Sequence, residues 1–373
     1  MAKKGLDGFF EKYLTQDSLF ENKKSMQASY VPEDIAHRDD QINQIANILA
    51  PALKIEKPSN IFIYGKTGTG KTLSVRYTTN HMLEVAEQNN VPLKVFYINC
   101  KLKRVVDTEY RLIAEIARFF GKTIPATGLP TDEVYNIFYK ALEEKEQLLI
   151  LVLDEVDHLV KKTGDEIIYN LTRINAEFKK SQLSIIGISN DLMFANHIDP
   201  RVKSSLSEEE ILFPPYNALQ IQDILRKRSG LAFKENALDD GVIPKCAAYA
   251  AREHGDARRA IDLLRVAGEL ADRSQSETVK IEHIDEAEEK IERERIVDIV
   301  KTQPKQFQAT LASIFSLSDK AGSKSVFTGD VYDVYKGICP ASGLRPITQR
   351  RLSDIIAELD MLGLINAKVI SKG

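Results

Sequence analysis

The chain has 373 residues, 43% hydrophobic and 28% charged, with a formal net charge of −3, which excludes a disordered or fibrous protein and describes a globular one of two or three domains. Three widely spaced cysteines, Cys100, Cys246 and Cys339, form no C-x-x-C pair; they exclude a zinc or disulfide framework and point to a reducing interior. The longest apolar run, Leu148–Leu153, has only a strand's length, and the N-terminus lacks the apolar core of a secretory signal, so a cytoplasmic protein without membrane partners is expected.

Residues 1–27 alternate charge with isolated apolar residues such as Phe9, Phe10, Leu14 and Phe20, the pattern of an arm or short helix packed on a later domain. Tyr30-Val31-Pro32 leads to His37-Arg38-Asp39-Asp40 and a helix carrying Ile42, Ile45, Ile48 and Leu49. A strand, Ile61-Phe62-Ile63-Tyr64, then runs into Gly65-Lys66-Thr67-Gly68-Thr69-Gly70-Lys71-Thr72 and a helix from Leu73 to about Glu87. This is G-x-x-x-x-G-K-[ST] in the strand–loop–helix setting that a phosphate loop needs. The glycines permit backbone shapes that turn successive N–H groups inward around a phosphate. Lys71 is placed to reach the β- and γ-phosphates, and the Thr72 hydroxyl to ligate Mg²⁺. The expected cofactors are ATP or ADP with Mg²⁺.

Further strands are expected at Leu93–Ile98, Leu148–Leu153, Leu183–Ile188 and Glu209–Phe213. Continuous apolar runs between helices indicate parallel strands covered on both faces, hence a three-layer α/β domain. The connection from Asn99 to Gln147 is long. Lys101, Lys103 and Arg104 precede a helix with Leu112, Ile113, Ile116, Phe119 and Phe120 at helical spacing. A second helix follows Pro130, with Thr131 as its N-cap and Val134, Ile137, Phe138, Ala141 and Leu142 as its apolar face. The pair either covers the sheet or forms an inserted, partner-contacting element.

The third run ends in Asp154-Glu155. Asp154 can hold Mg²⁺ through water, and Glu155 can polarise the attacking water as a general base. The fourth ends in Ser189-Asn190, whose amide is a candidate for orienting that water or touching the γ-phosphate. After Pro214-Pro215 the pattern is wholly helical: about Ala218–Lys234, Gly241–His254, Asp256–Arg273 and Ile281–Thr302. Gly255-Asp256-Ala257-Arg258 opens the third of these, and Arg258 can fold over a bound nucleotide. The domains expected are 1–213, 214–295 and 296–373.

The last segment holds ten Lys/Arg against seven Asp/Glu, leaving the remainder at −6; a basic module on an acidic body fits a nucleic-acid partner. Phe307–Leu317 is helical, Thr328 caps a helix to Tyr335, and Gly337–Pro346 reads as a turn region. Thr348 caps a third helix, with Ile347 and Leu352 as a hydrophobic staple and Leu352, Ile355, Ile356, Leu359 and Leu362 on its core face. Gly363 stops it, and Ile365–Ile370 reads as a strand. Three helices and a strand suggest a winged helix-turn-helix whose wing is either abbreviated or cut short where the sequence stops. Arg345, Thr348, Gln349, Arg350 and Arg351 surround the helix start that would enter a major groove, where Arg reads guanine and Gln reads adenine. Lys368 and Lys372 would meet phosphate or minor groove.

Together the phosphate loop, Asp154-Glu155, Asn190 and Arg258 resemble an AAA+ ATPase. Tyr30-Val31-Pro32, His37-Arg38, Asp199-Pro200-Arg201-Val202-Lys203-Ser204-Ser205-Leu206, Phe213-Pro214-Pro215-Tyr216 and the C-terminal segment resemble, more closely, the archaeal initiators related to origin recognition complex subunit one and the cell-division-cycle six protein. The resemblance covers nearly the whole chain. It implies an AAA+ domain, an all-α lid and a winged helix, with Val31 and Arg38 near the base, and Tyr216 and Arg228 contacting the nucleotide. It makes the 99–147 insert a DNA-touching element, and implies double-stranded origin DNA, the replicative helicase and initiator paralogues as partners in a nucleoid-associated protein. Where many AAA+ proteins carry Ser-Arg-Phe with a trans-acting arginine finger, this chain reads Ser204-Ser205-Leu206. Arg201 is the remaining candidate finger, and slow hydrolysis serving as a switch is expected. The competing functions are a signalling NTPase whose winged helix binds protein, and a clamp-loader or remodelling motor.

Overall fold

The computed structural model describes residues 17–27, 30–32, 34–101, 108–125, 127–253, 255–321 and 326–368. The five apolar runs become β1 (Ile61–Tyr64), β2 (Leu93–Asn99), β3 (Gln147–Asp154), β4 (Ser181–Ser189) and β5 (Glu209–Leu212). They form one sheet in the order β2-β3-β4-β1-β5, every pair parallel. All eight residues of β3 are buried, which is why it reads as an unbroken apolar run. In register, Asp154 lies opposite Asn99 on one side and Ile188 on the other, while Tyr64 lies opposite Ser189. The ends of β1 to β4 thus share one carboxyl edge, where open α/β sheets bind ligands.

On one face, α1 (Asp39–Leu49) and α2 (Lys71–Gln88) bury Ile45, Leu49, Val75 and Met82 against Ile61, Ile63, Ile150 and Val152. On the other lie α3 (Glu109–Phe119), α4 (Thr131–Glu143), α5 (Val156–Thr163) and α6 (Glu166–Arg173), then the single turn α7 (Phe194–His197) and α8 (Pro200–Leu206). Leu112, Ile113, Ile116, Phe138 and Leu142 of α3 and α4 are fully buried there, so the long connection does cover the sheet. Thr131 is the first residue of α4 rather than its cap. Pro130 holds the N-cap position, and no side chain accepts there; a proline before the helix fixes the entry without one.

Three helices follow: α9 (Ala218–Ala232), α10 (Val242–Arg252) and α11 (Ala257–Arg273). A reciprocal capping box of Asn217 and Gln220 starts α9. The described part of the N-terminal arm packs here: Phe20 lies 4.4 Å from Phe233, and Leu19 N donates to Asp272 at 2.8 Å. The chain forms two compact units divided between Ile284 and Asp285, and α12 (Ile281–Thr302) spans that division.

The second unit holds α13 (Lys305–Ala321), α14 (Thr328–Ala341) and α15 (Gln349–Met361). Tyr335, Cys339 and Leu352 form one part of its core, and Phe307, Leu311, Ile355 and Leu359 another. Four expectations need correction. Thr328 is inside α14, and Phe327 occupies the cap position without a side-chain bond. The helix continues through Pro340 to Ala341 instead of turning at Gly337, because Tyr335 and Cys339, one turn apart, are both buried on its core face. Residues 365–368 form no strand. Ala367 N donates to Asp360 Oδ1 at 2.8 Å, and Leu364 and Ile365 pack on the core; an unpaired strand would leave such groups without partners. Val369 and Ile370 lie outside the described residues, and Leu362, 41% exposed, is not a core residue. Gly363, at φ 70°, does stop α15: its N–H bonds to Asp360 O and that of Leu364 to Leu359 O, a Schellman motif.

Candidate nucleotide-binding site

The site forms where β1 hands over to α2. Lys71 is 5% exposed, and its ammonium donates to the carbonyls of Gly65 at 2.8 Å and Lys66 at 2.7 Å. Burial, then the nearby charge of Arg258, pushes its pKa down to about 8, with Asp154, Asp256 and Glu155 opposing. Thr69 Oγ1 braces the loop by donating to Lys66 O at 2.9 Å, while Lys66 and Thr67 are exposed. Thr72 Oγ1 donates to Asp154 Oδ2 at 2.9 Å, and the Tyr97 hydroxyl donates to the same oxygen. Burial and that carboxylate together raise the Tyr97 pKa.

Glu155 follows β3 with φ of +56°, a left-handed conformation costing a non-glycine residue about 1–2 kcal/mol. Its Oε2 is enclosed without a hydrogen-bond partner among the described residues; Lys101 Nζ lies 3.5 Å away and His158 Nε2 3.6 Å away. Asn190 is half-buried at the end of β4, next to Ser189, whose hydroxyl donates to Asp157 Oδ1 at 3.0 Å.

Val31, Gly68, Gly70, Thr72, Tyr216, Arg228 and Arg258 all line one cavity of about 590 Å³. Arg258 is exposed at the start of α11. Arg228 is 7% exposed, stacks 4.5 Å over the Tyr30 ring and donates to Tyr30 O at 3.3 Å, leaving Nη1 buried with no hydrogen-bond partner among the described residues. Burial lowers its pKa. Arg38 is 2% exposed and spent on scaffolding: it donates to Thr69 O at 2.8 Å, His37 O at 3.0 Å and Pro214 O at 2.6 Å, and its guanidinium lies 3.8 Å over the Tyr216 ring. Arg38 therefore ties the phosphate loop to the entry of the lid. Arg201 is 71% exposed and pairs through two nitrogens with Asp199, the cap of its own helix.

Three contributors escaped the sequence. Tyr97 reads as one of several apolar strand residues, and only its register beside β3 brings it to Asp154. Arg76 lines the cavity one helical turn after Thr72 and sits 4.2 Å over the Tyr97 ring; its i, i+4 spacing was a usable signal. Asp256 caps α11 by accepting from the amides of Arg258 and Arg259, and it lies against Gly68.

For DNA, Arg345, Thr348, Gln349, Arg350, Arg351 and Lys368 are all exposed on the second unit. Thr348 Oγ1 accepts from Arg351 N, capping α15 as expected. The Arg351 guanidinium lies 3.5 Å from Asp354 and 3.6 Å from Glu358. Lys101 is exposed near Glu155; Lys103, Arg104 and Lys372 lie outside the described residues.

Residues 55–192 match an AAA domain, 222–289 the Cdc6 AAA+ ATPase-type lid domain, and 298–373 the CDC6 C-terminal winged helix domain. The ORC1-type DNA replication protein of Thermococcus onnurineus is 52% identical over 372 residues, covering 99% of this chain and 89% of that one. The chain belongs to the archaeal ORC1/Cdc6-type family of AAA+ replication initiators. An ORC1-type relative from Pyrococcus furiosus is also 52% identical, covering 99% of this chain and 88% of its own. The solved structure of the Aeropyrum pernix ORC1 protein in complex with DNA is 43% identical, with a TM-score of 0.82, covering 96% of this chain and 92% of that one. This initiator-family chain thus has the AAA+ ATPase architecture, with lid and winged helix in the family's order.

The residues fit a bound nucleotide. A Cβ at Gly68 would collide with Asp256 and one at Gly70 with the Tyr216 hydroxyl, so the glycines let these lid residues close directly on the loop. Arg228 Nη1 and Glu155 Oε2 are buried polar atoms lacking hydrogen-bond partners among the described residues, and buried polar groups ordinarily have one.

Proposed function

We propose that this chain is an ATP-regulated initiator that binds origin DNA through its winged helix and its AAA+ insert, and helps recruit the replicative helicase. The functional divisions we assign are 1–213, 214–295 and 296–373. One observation carries the nucleotide half of the reading: a cavity lined by Thr72 and Arg258, with Thr72 bonded to Asp154, in a chain of this family.

In this reading Lys71 supplies a fixed positive charge to the phosphate cradle, and Thr72 and Asp154 hold the metal. Mg²⁺, when bound with ATP, neutralises phosphate charge. Glu155 accepts a proton from water at its carboxylate, and Asn190 orients that water. Arg258 reads the γ-phosphate from the lid, while Arg228, Tyr216 and Val31 line the nucleotide's side of the cavity. Arg201, held by Asp199, would first have to leave that pair before acting in trans. Hydrolysis is accordingly slow, and the protein retains its ADP.

For DNA, support comes from the Aeropyrum pernix ORC1 protein, 43% identical and solved in complex with DNA, and from the exposed basic start of α15. Footprinting of pooled genomic DNA with ATP and with ADP tests the proposal. Discrete protected sites that differ between nucleotides are expected; uniform, sequence-blind protection would favour a winged helix that binds protein.

A further inference from the structure

Asp154 is gripped from two elements. Thr72 of α2 and Tyr97 of β2 both donate to Oδ2. Two donors converging on one oxygen fix the plane of the carboxylate. Tyr97 is itself held at its other end, because the Arg76 guanidinium lies 4.2 Å over its ring. Arg76 and Thr72 stand one turn apart on α2, and both line the cavity. The four side chains form a closed circuit: α2 to β2 through the ring, β2 to β3 through the hydroxyl, and β3 back to α2 through Thr72. The packing of a phenylalanine would suffice to cover the sheet at this position. The hydroxyl adds the bond to Asp154.

We propose that Tyr97 is a positioning residue for the divalent cation of the nucleotide site: its hydroxyl holds the Asp154 carboxylate so that Asp154 and Thr72 present their oxygens together. This rests on the reading of Asp154 as a metal-holding residue. Groups that orient metal-holding side chains contribute through geometry, and their loss lowers metal affinity by about 10–100-fold.

The test uses the full chain, freed of bound nucleotide, and a fluorescent ADP titrated in EDTA and across a range of Mg²⁺. Tyr97→Phe keeps the ring and its contact with Arg76. The variant is expected to need at least ~10-fold more Mg²⁺ for half-maximal ADP binding, to bind ADP in EDTA as the unmodified protein does, and to recover at high Mg²⁺. Mn²⁺ binding followed by electron paramagnetic resonance should weaken in parallel. Asp154→Asn serves as the reference. If it shifts the Mg²⁺ requirement and Tyr97→Phe does not, the positioning role is overturned while the site reading stands. If Asp154→Asn leaves the requirement unchanged, both are overturned. An equal loss of ADP affinity in EDTA and in Mg²⁺ would make Tyr97 a packing residue and overturn the proposal.

Discussion

The carboxylate of Asp256, in the lid, lies so close to Gly68, in the phosphate loop, that a Cβ at Gly68 would stand 1.7 Å from Oδ1. Ala257 N also donates to Gly68 O at 3.3 Å. The start of α11 is therefore seated directly on the loop. Asp256 cannot swing aside freely, because its Oδ1 accepts from the amides of Arg258 at 2.8 Å and Arg259 at 3.2 Å.

Gly68→Ala is expected to weaken ADP binding by about fivefold, because its Cβ would displace Asp256 and the cap it makes, worth about 1 kcal/mol, while the left-handed alanine costs about 1–2 kcal/mol of stability. Gly164→Ala is the control: φ there is +82°, but a Cβ would meet nothing within 4 Å. It should cost stability by the backbone term alone and leave ADP affinity intact. Calorimetric ADP titration with thermal unfolding of both variants checks this, and equal affinities would remove the lid–loop contact from nucleotide binding.

Lys71→Ala and Glu155→Gln should separate binding from hydrolysis. The first removes a charge-assisted interaction worth about 1.5–3 kcal/mol, or ~10–100-fold in affinity. The second keeps the shape of the side chain but not its basicity, so ATP should bind and phosphate release should stop. Mass analysis of nucleotide extracted from the purified unmodified protein should find ADP. Unchanged phosphate release in the Gln variant would take Glu155 out of its role.

Glu143 supplies a pH dependence. Burial works against its ionisation, yet the amides of Ser181, Lys180 and Lys179 donate to its carboxylate, and its pKa lies below the usual glutamate value. A depressed folded-state pKa means the unfolded chain takes up its proton first as pH falls. The stabilisation is thus fully present above the ordinary glutamate pKa and is lost as pH drops through the folded value. Glu143→Gln should lower the denaturant midpoint at pH 7, with the difference shrinking below pH about 4. A gap independent of pH would mean the amide pairing contributes shape but no charge.

At the start of α15, proposed above to read DNA, two electrostatic effects oppose each other. The bridges from Arg351 to Asp354 and Glu358 join groups that are all about half exposed, so they contribute about 0–1 kcal/mol. A bidentate contact to guanine gives about 1–3 kcal/mol of discrimination. DNA should win, and Arg351 should leave its carboxylates. Replacing Arg350 and Arg351 by Ala is expected to flatten the preference for origin over scrambled duplex. Replacing Lys101, on the ATPase domain, should weaken both duplexes alike and shallow the salt slope. Titrations at several salt concentrations distinguish these outcomes; an origin-to-scrambled ratio unmoved by the arginine pair would point to a protein-binding winged helix.

Local chemistry by itself determined the phosphate loop, the order of strands and helices, and the capped start of α15 at Thr348. Each depends on residues a few positions apart: glycines spaced for a nest, apolar runs with period two or 3.6, a hydroxyl three residues before an amide. The same locality explains the errors. Gly337–Pro346 read as a turn region and Ile365–Ile370 as a strand, but burial of Tyr335 and Cys339 carried α14 through Pro340, and Leu364 and Ile365 packed on the core with no strand over 365–368. Which distant groups meet was decided by tertiary structure alone. Parallel pairing of β2 with β3 brings Tyr97 to Asp154 across 57 positions, and closure of the lid lays Asp256 on Gly68. Arg38, which the resemblance places near a base, also donates to three backbone carbonyls. A buried guanidinium takes whichever acceptors the fold brings within reach, and no spacing in the chain encodes that choice.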